Sequence, residues 1–178
     1  YQQEHGIARI EAQKDLAELL GFTEIYPALS PLEKLFESSK TESVRLAVIN
    51  ATHLLYFKRT FGLIEKALED PKLQKSGITS IKLLHFAHAL EPLMRIYAQY
   101  QGPVQLAALD SITRCNSLDA VEFLIQVALS GSPDNAAIAK RALSSTGVKG
   151  AQELIRAAYE TVPNSARESF SEISRTAR

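Results

Sequence analysis

The octet Val44-Arg45-Leu46-Ala47-Val48-Ile49-Asn50-Ala51 returns sixty residues later as Val104-Gln105-Leu106-Ala107-Ala108-Leu109-Asp110-Ser111. That distance is longer than one helical hairpin. A chain that writes nearly the same stretch twice so far apart reads as a chain of repeated units, and self-similarity of this kind restricts the fold more than composition does. The spacing of first-helix openings supplies the units. Leu32-Glu33-x-Leu35 opens one helix, Leu90-Glu91-x-Leu93 another and Ala120-Val121-Glu122-Phe123-Leu124 a third. Phe61-Gly62-Leu63-Ile64 stands halfway between the first two, and Ala151-Gln152-Glu153-Leu154 follows the third by one more step. Units therefore begin near 32, 61, 90, 120 and 150, each expected to be a pair of helices.

Apolar spacing is helical almost throughout. Ile81, Leu84 and His88 fall at i, i+3 and i+7, as do Val121, Leu124 and Ala128. No alternating strand and no Asn-Gly or Asp-Gly hairpin turn interrupts it. The punctuation suits helix ends. Ser30-Pro31-Leu32-Glu33 predicts a capping box with Pro in the first turn, and Asp70-Pro71 and Ser132-Pro133 repeat the cap-then-Pro pattern. Ser165 with Glu168 predicts another capping box, and Gly21, Gly131 and Gly147 suit helix C-termini. Ten or eleven helices are expected.

The second helices of the units align in one register. Position one is Val44, Gly77, Val104, Asn135 and Ala166. Position five is Val48, Ile81, Ala108, Ala139 and Phe170, and position eight is Ala51, Leu84, Ser111, Ala142 and Ile173. These positions share one helix face, and the small residues among them let helices of neighbouring units approach closely. The pattern resembles the HEAT-like repeats of about thirty residues, including the short kind of the phycobilisome lyases, whose second helix carries Val-Arg-x-x-Ala-x-x-Ala-Leu. Val44-Arg45-x-x-Val48-x-x-Ala51 follows it well, and Ala139-x-x-Ala142-Leu143 follows its latter half. The unit at 61–89 departs most, with Gly77 in place of the first Val and a first helix interrupted at Asp70-Pro71.

The resemblance implies an all-α fold: a right-handed α-solenoid, or HEAT/ARM-like superhelix, of about five helical hairpins plus an N-terminal helix at 5–20. It would form a single domain over 1–178, with repeats at 32–60, 61–89, 90–119, 120–149 and 150–178. The polar stretch from Tyr1 to Lys14 is expected to fray or to lead to a further domain, and Ser165 to Arg178 to form a polar C-terminal cap.

Of the residues, 46% are hydrophobic and 22% charged, ordinary for a globular chain of 178. Lys plus Arg and Asp plus Glu number 20 each, which argues against a dedicated nucleic-acid binder, although Lys58-Arg59 and Lys140-Arg141 are local basic spots. The one cysteine, Cys115, excludes an intrachain disulfide and favours a reducing, cytoplasmic setting. No apolar run is long enough to span a membrane, and no stretch reads as a signal peptide. Because the sequence opens at Tyr1 rather than Met, a membrane anchor or partner domain has room to lie outside it.

Signals of chemistry are weak. His85 and His88, with His53 as a remote third ligand, have metal-ligand residue types, but the competing reading puts His88 on the core-facing stripe of one helix. Cys115 lacks a base and reads as a buried structural thiol. Asp110, Glu91 and Asp119 are candidate carboxylates, but nothing in the sequence sets one against another as acid and base; Asp119 reads as a first-turn acid and Asp110 as an exposed polar position. No Gly-rich phosphate loop or Gly-x-Ser-x-Gly is present. Some HEAT-like proteins are DNA glycosylases that hold the damaged nucleotide against aromatic side chains, typically Trp; this chain has no Trp. Bilin attachment of the lyase kind has no identifiable surface. The expectation is a noncatalytic protein with no cofactor and no metal.

A partner is expected on the concave face of the second helices, where solenoids usually bind. Positions three, six and ten oppose the core: Leu46, Ile49 and His53, then Thr79, Lys82 and Phe86, then Leu106, Leu109 and Thr113. In the last units they turn polar, as Ala137, Lys140 and Ser144, then Glu168, Ser171 and Arg175. An apolar groove receiving a helix or extended segment of another protein would use Leu46, Ile49, His53, Lys82, Phe86, Leu106, Leu109 and Thr113. The alternatives are sideways packing of positions three and six against neighbouring second helices, self-association through the same strip, or an enzyme acting on nucleic acid.

Overall fold

Ser132 and Ser117 show how this sequence starts a helix. The Ser132 hydroxyl accepts the Asn135 amide at 3.4 Å with Pro133 as the first helical residue, and the Ser117 hydroxyl accepts the Ala120 amide at 3.2 Å. Each hydroxyl satisfies an amide that has no partner inside the helix, and Asp119 and Asp134 in the first turns complement the helix dipole. In the computed structural model, which describes residues 2–163 and Arg167, such starts recur along an all-α chain with no strand among the described residues. Ser165, Ala166, Glu168, Phe170, Ser171, Ile173 and Arg175, which carry the last register and capping expectations, lie outside the described residues.

The chain groups into two compact units that divide between Leu84 and His85. The first contains α1 (Gln2–Phe22), α2 (Leu29–Ser38), α3 (Glu42–Ala51), α4 (Phe61–Glu69) and α5 (Gln74–Leu83). Here α2 pairs with α3 and α4 with α5, while α3 packs beside α5 and α1 lies along α3 and against α2. The second contains α6 (Leu90–Gln99), α7 (Gly102–Ile112), α8 (Leu118–Ser130), α9 (Pro133–Ser144) and α10 (Ala151–Thr161). There α6 pairs with α7 and α8 with α9, while α7 packs beside α9 and α8 beside α10.

The shared register is what these pairs bury. Position five, at Val48, Ile81, Ala108 and Ala139, is fully enclosed, and so is Val44 at position one. Around Val44 and Val48 the core of the first unit gathers Ala17, Leu29, Leu32, Phe36, Ile49, Leu55 and Leu63. Burying each large aliphatic contributes about 1.5–3 kcal/mol relative to exposure. The hairpin that departs from the pattern keeps the register for a steric reason. A methyl added at Gly77 would stand 3.1 Å from Leu68 Cδ2 and 3.4 Å from Ala67 Cβ, so α4 occupies the space that Val44 fills in α3.

Several expectations about helix ends are corrected. Ser30 does not cap α2: that helix continues directly from a 3-10 turn over Tyr26–Ala28, started by Pro27, and Ser30 lies in its first turn. The Arg59 guanidinium, bound to Glu33, also reaches the Ser30 hydroxyl at 3.3 Å. Asp70-Pro71 does not cap α5 either. Asp70 closes α4, its carboxylate accepts the Lys72 amide at 3.0 Å, and α5 starts only at Gln74. Gly21 lies in the last turn of α1, as expected of a helix end, and is also a contact, where an added methyl would meet Ala51 Cβ at 3.0 Å, so α1 lies close on α3. Gly147 lies beyond α9, which ends at Ser144. The polar N-terminal stretch is helical from Gln2, with Ile10 packed on the core.

Candidate binding surfaces on the second helices

α3 and α7 carry the repeated octet, and the same positions meet the same fate in both. Leu46 and Leu106, at position three, are exposed at 37% and 42%. Ile49 and Leu109, at position six, are fully buried. That corrects half of the expected apolar strip. Ile49 belongs to the same core cluster as Leu63, Ala67 and Leu73, because the next hairpin covers the flank of α3 on which position six falls. Leu109 is enclosed within the second unit, where α6 and α9 both pack on α7. In α3 and α7, therefore, position six is core and position three is surface.

The other residues expected at the site are more scattered. Lys82 is exposed on α5. Phe86 is half-buried and lies past the end of α5, in an extended link with φ −134° and ψ 164°. His53 is half-buried in the 3-10 turn after α3, its Nε2 enclosed without a hydrogen-bond partner, and burial lowers its pKa. A buried imidazole in that state favours its neutral form. Thr113 closes α7 and donates its hydroxyl to the Asp110 carbonyl at 2.6 Å.

Thr113 also lines a cleft of about 500 Å³ in the second unit, with His85, Arg114, Ser117, Leu124 and Thr146. Several of its polar groups already serve the fold. Ser117 caps α8, Arg114 pairs with the Asp110 carboxylate at 2.9 Å and the Thr146 hydroxyl accepts the Val148 amide. The expected helix carrying His85 and His88 is not formed. α5 ends at Leu83, and His88 stands in a separate 3-10 turn, exposed rather than on a core stripe. Among the described residues no group of three His, Cys, Asp or Glu side chains could hold a metal. Cys115 is buried, its Sγ donates to the Ser111 carbonyl at 3.4 Å, and burial pushes its thiol up to about 11 against the opposing effect of Arg114. A thiol held protonated is a poor nucleophile.

One surface was missed in the sequence. In the first unit α1 and α3 flank a cleft of about 430 Å³. Its α1 wall is Glu11, Lys14, Asp15, Glu18 and Phe22, and the facing wall is Ala47, Asn50 and Ala51 of α3 with Leu54 of the 3-10 turn that follows it. The available signal was that α1 is apolar on two sides. Ile10, Ala17 and Leu20 turn inward, while Ile7, Leu16, Leu19 and Phe22 are 48–65% exposed. A helix apolar on more than one face has more to cover than its own core.

The fold and these surfaces define an all-helical protein of packed hairpins in which no described helix is long and apolar enough to cross a membrane. The chain matches no protein family and no curated protein sequence.

Proposed function

We propose that the chain is a noncatalytic protein-binding module, a HEAT-like right-handed superhelix whose second helices receive a helix or extended segment of another protein. The observation that carries this reading is the exposure of leucine at the same register position of α3 and α7, Leu46 and Leu106. In α3 and α7 packing accounts for positions one, five, six and eight, whereas nothing in the core uses position three. An apolar side chain repeated at one exposed position fits a partner-facing strip better than scatter. Pairing of α2 with α3, α4 with α5, α6 with α7 and α8 with α9 supports the solenoid reading.

The test is affinity capture from the native host with wild type, Leu46→Asp and Leu106→Asp, each first shown to keep its helix content and Tm. A protein held by wild type and lost by either variant is the expected result. A captured set indifferent to both substitutions overturns the reading. Light scattering on the same samples separates self-association: a dimeric wild type made monomeric by Leu46→Asp would make the partner a second copy.

A further inference from the structure

We infer that the cleft between α1 and α3 is a docking trough for a basic amphipathic segment of another protein, a helix with apolar residues along one side and Lys or Arg flanking them. The inference rests on the protein-binding reading above and names a partner chemistry for the first unit. Shape comes first. Glu11, Asp15, Glu18 and Phe22 follow one another at i, i+4, i+7 and i+11, so the α1 wall runs about 16 Å at 1.5 Å per residue. Ala47, Asn50 and Ala51 of α3, with Leu54 of the 3-10 turn after it, run alongside. A trough of that length suits a segment of chain better than a compact small molecule.

Its floor is apolar and shallow for a definite reason. Gly21 lets α1 lie against Ala51, and Ala47 and Ala51 are too small to fill the space beside it. Phe22 stands at one end, 63% exposed. Its ring is a large apolar surface left in water, of the kind that anchors interfaces. Leu46 lies one turn before Asn50 on α3, outside the lining of the trough.

Charge selects the occupant. The α1 wall carries three carboxylates and one ammonium, and that ammonium, Lys14, is already paired with Glu11 at 3.0 Å. Asp15 and Glu18 are exposed. Residues 1–84 contain equal numbers of acidic and basic side chains, so the negative wall is local and not a property of the whole unit. An apolar floor with an unneutralised acidic rim favours an apolar stripe flanked by cations, and the rim charges act mainly on association rate and on rejection of acidic competitors.

The experiment uses the full chain and a labelled helical peptide of about 14 residues, with leucines at i, i+3, i+4 and i+7 and lysines elsewhere. Two control peptides replace every lysine by glutamate, or every leucine by serine. Binding is read by anisotropy and mapped by amide chemical shifts. The lysine–leucine peptide is expected to bind, with shifts gathered at Phe22, Ala47, Asn50, Ala51 and Leu54, and both controls to bind far more weakly. Asp15→Lys with Glu18→Lys is expected to weaken binding about tenfold at low salt, the gap narrowing as ionic strength rises. Phe22→Ser should weaken it independently of salt. These are surface changes, and an unchanged Tm confirms that each variant is folded.

The inference is overturned by equal binding of the glutamate peptide, by shifts centred elsewhere, or by indifference to both α1 variants. It is overturned also if the trough amides shift with protein concentration alone, which would make a second copy the occupant. Host capture lost on Leu46→Asp without any peptide effect removes the trough and leaves the broader reading. Trough binding with capture indifferent to Leu46 and Leu106 does the reverse.

Discussion

Gly77 in the first unit and Asn135 in the second stand at the same place in their helices, and both are buried. In α5 the position is filled from outside, by Leu68 and Ala67 of α4 pressing against a residue with no side chain. In α9 it is filled by an amide that donates to the Tyr97 hydroxyl at 3.0 Å and the Gln105 side-chain carbonyl at 3.2 Å. Gln105 in turn donates to the Tyr97 carbonyl at 3.1 Å, so α6, α7 and α9 share one polar cluster. α3 and α7 need neither device, because Val44 and Val104 fill the same place as hydrocarbon. The register constrains where burial happens and leaves open what is buried.

The largest expected effect tests the register itself. Leu109→Asp or Ile49→Asp buries a carboxylate without a partner and should cost more than about 4 kcal/mol. Leu106→Asp and Leu46→Asp should change stability by no more than about 0.5 kcal/mol. Urea unfolding measures both, and equal losses at positions three and six would break the assignment.

Next come the two exceptional residues. Gly77→Val should lose about 1–3 kcal/mol by overpacking against Leu68, while Gly77→Ala stays near neutral because helix propensity offsets the tighter contact. Asn135→Ala should lose about 1–3 kcal/mol by leaving the Gln105 carbonyl without its donor, and Asn135→Val should not rescue it. Rescue by Val at 135, or tolerance of Val at 77, would show that the two sites are alike after all.

The smallest effect concerns His53, whose pKa burial lowers. A depressed folded-state pKa means that the unfolded chain takes up the proton first. The stability tied to neutral His53 is therefore present above about 6.5 and is lost as pH falls toward the folded value. His53→Leu should flatten the decline of Tm below pH 6.5, and an unchanged profile would remove His53 as its source.

Much of this was legible in the sequence. The octet at 44–51 and 104–111 marks two second helices, and positions one, five and eight are buried in α3, in α7 and at Gly77, Ile81 and Leu84, the last just past the end of α5. What escaped depends on neighbours rather than on the helix itself. Ile49 reads as outward from periodicity, but the flank it occupies is covered by the next hairpin. The Ser30 cap was displaced because Pro27 had already started a helical turn upstream. His85 and His88 lost their shared helix where the backbone becomes extended at Phe86. The acidic trough was invisible because it is made by two helices far apart in sequence, and only the close approach at Gly21 brings them together.

The side-chain bonds that tie one hairpin to the next also set how this chain can fold. Arg45 reaches Asp70, Arg59 reaches Glu33, Asn50 meets Ser76 and Gln105 meets Asn135. Each tie spans only 25–30 residues. For these ties no loop much longer than a hairpin must close before the contact forms, so little chain entropy is lost ahead of it. Contacts this close in sequence are the kind that form early when a chain folds.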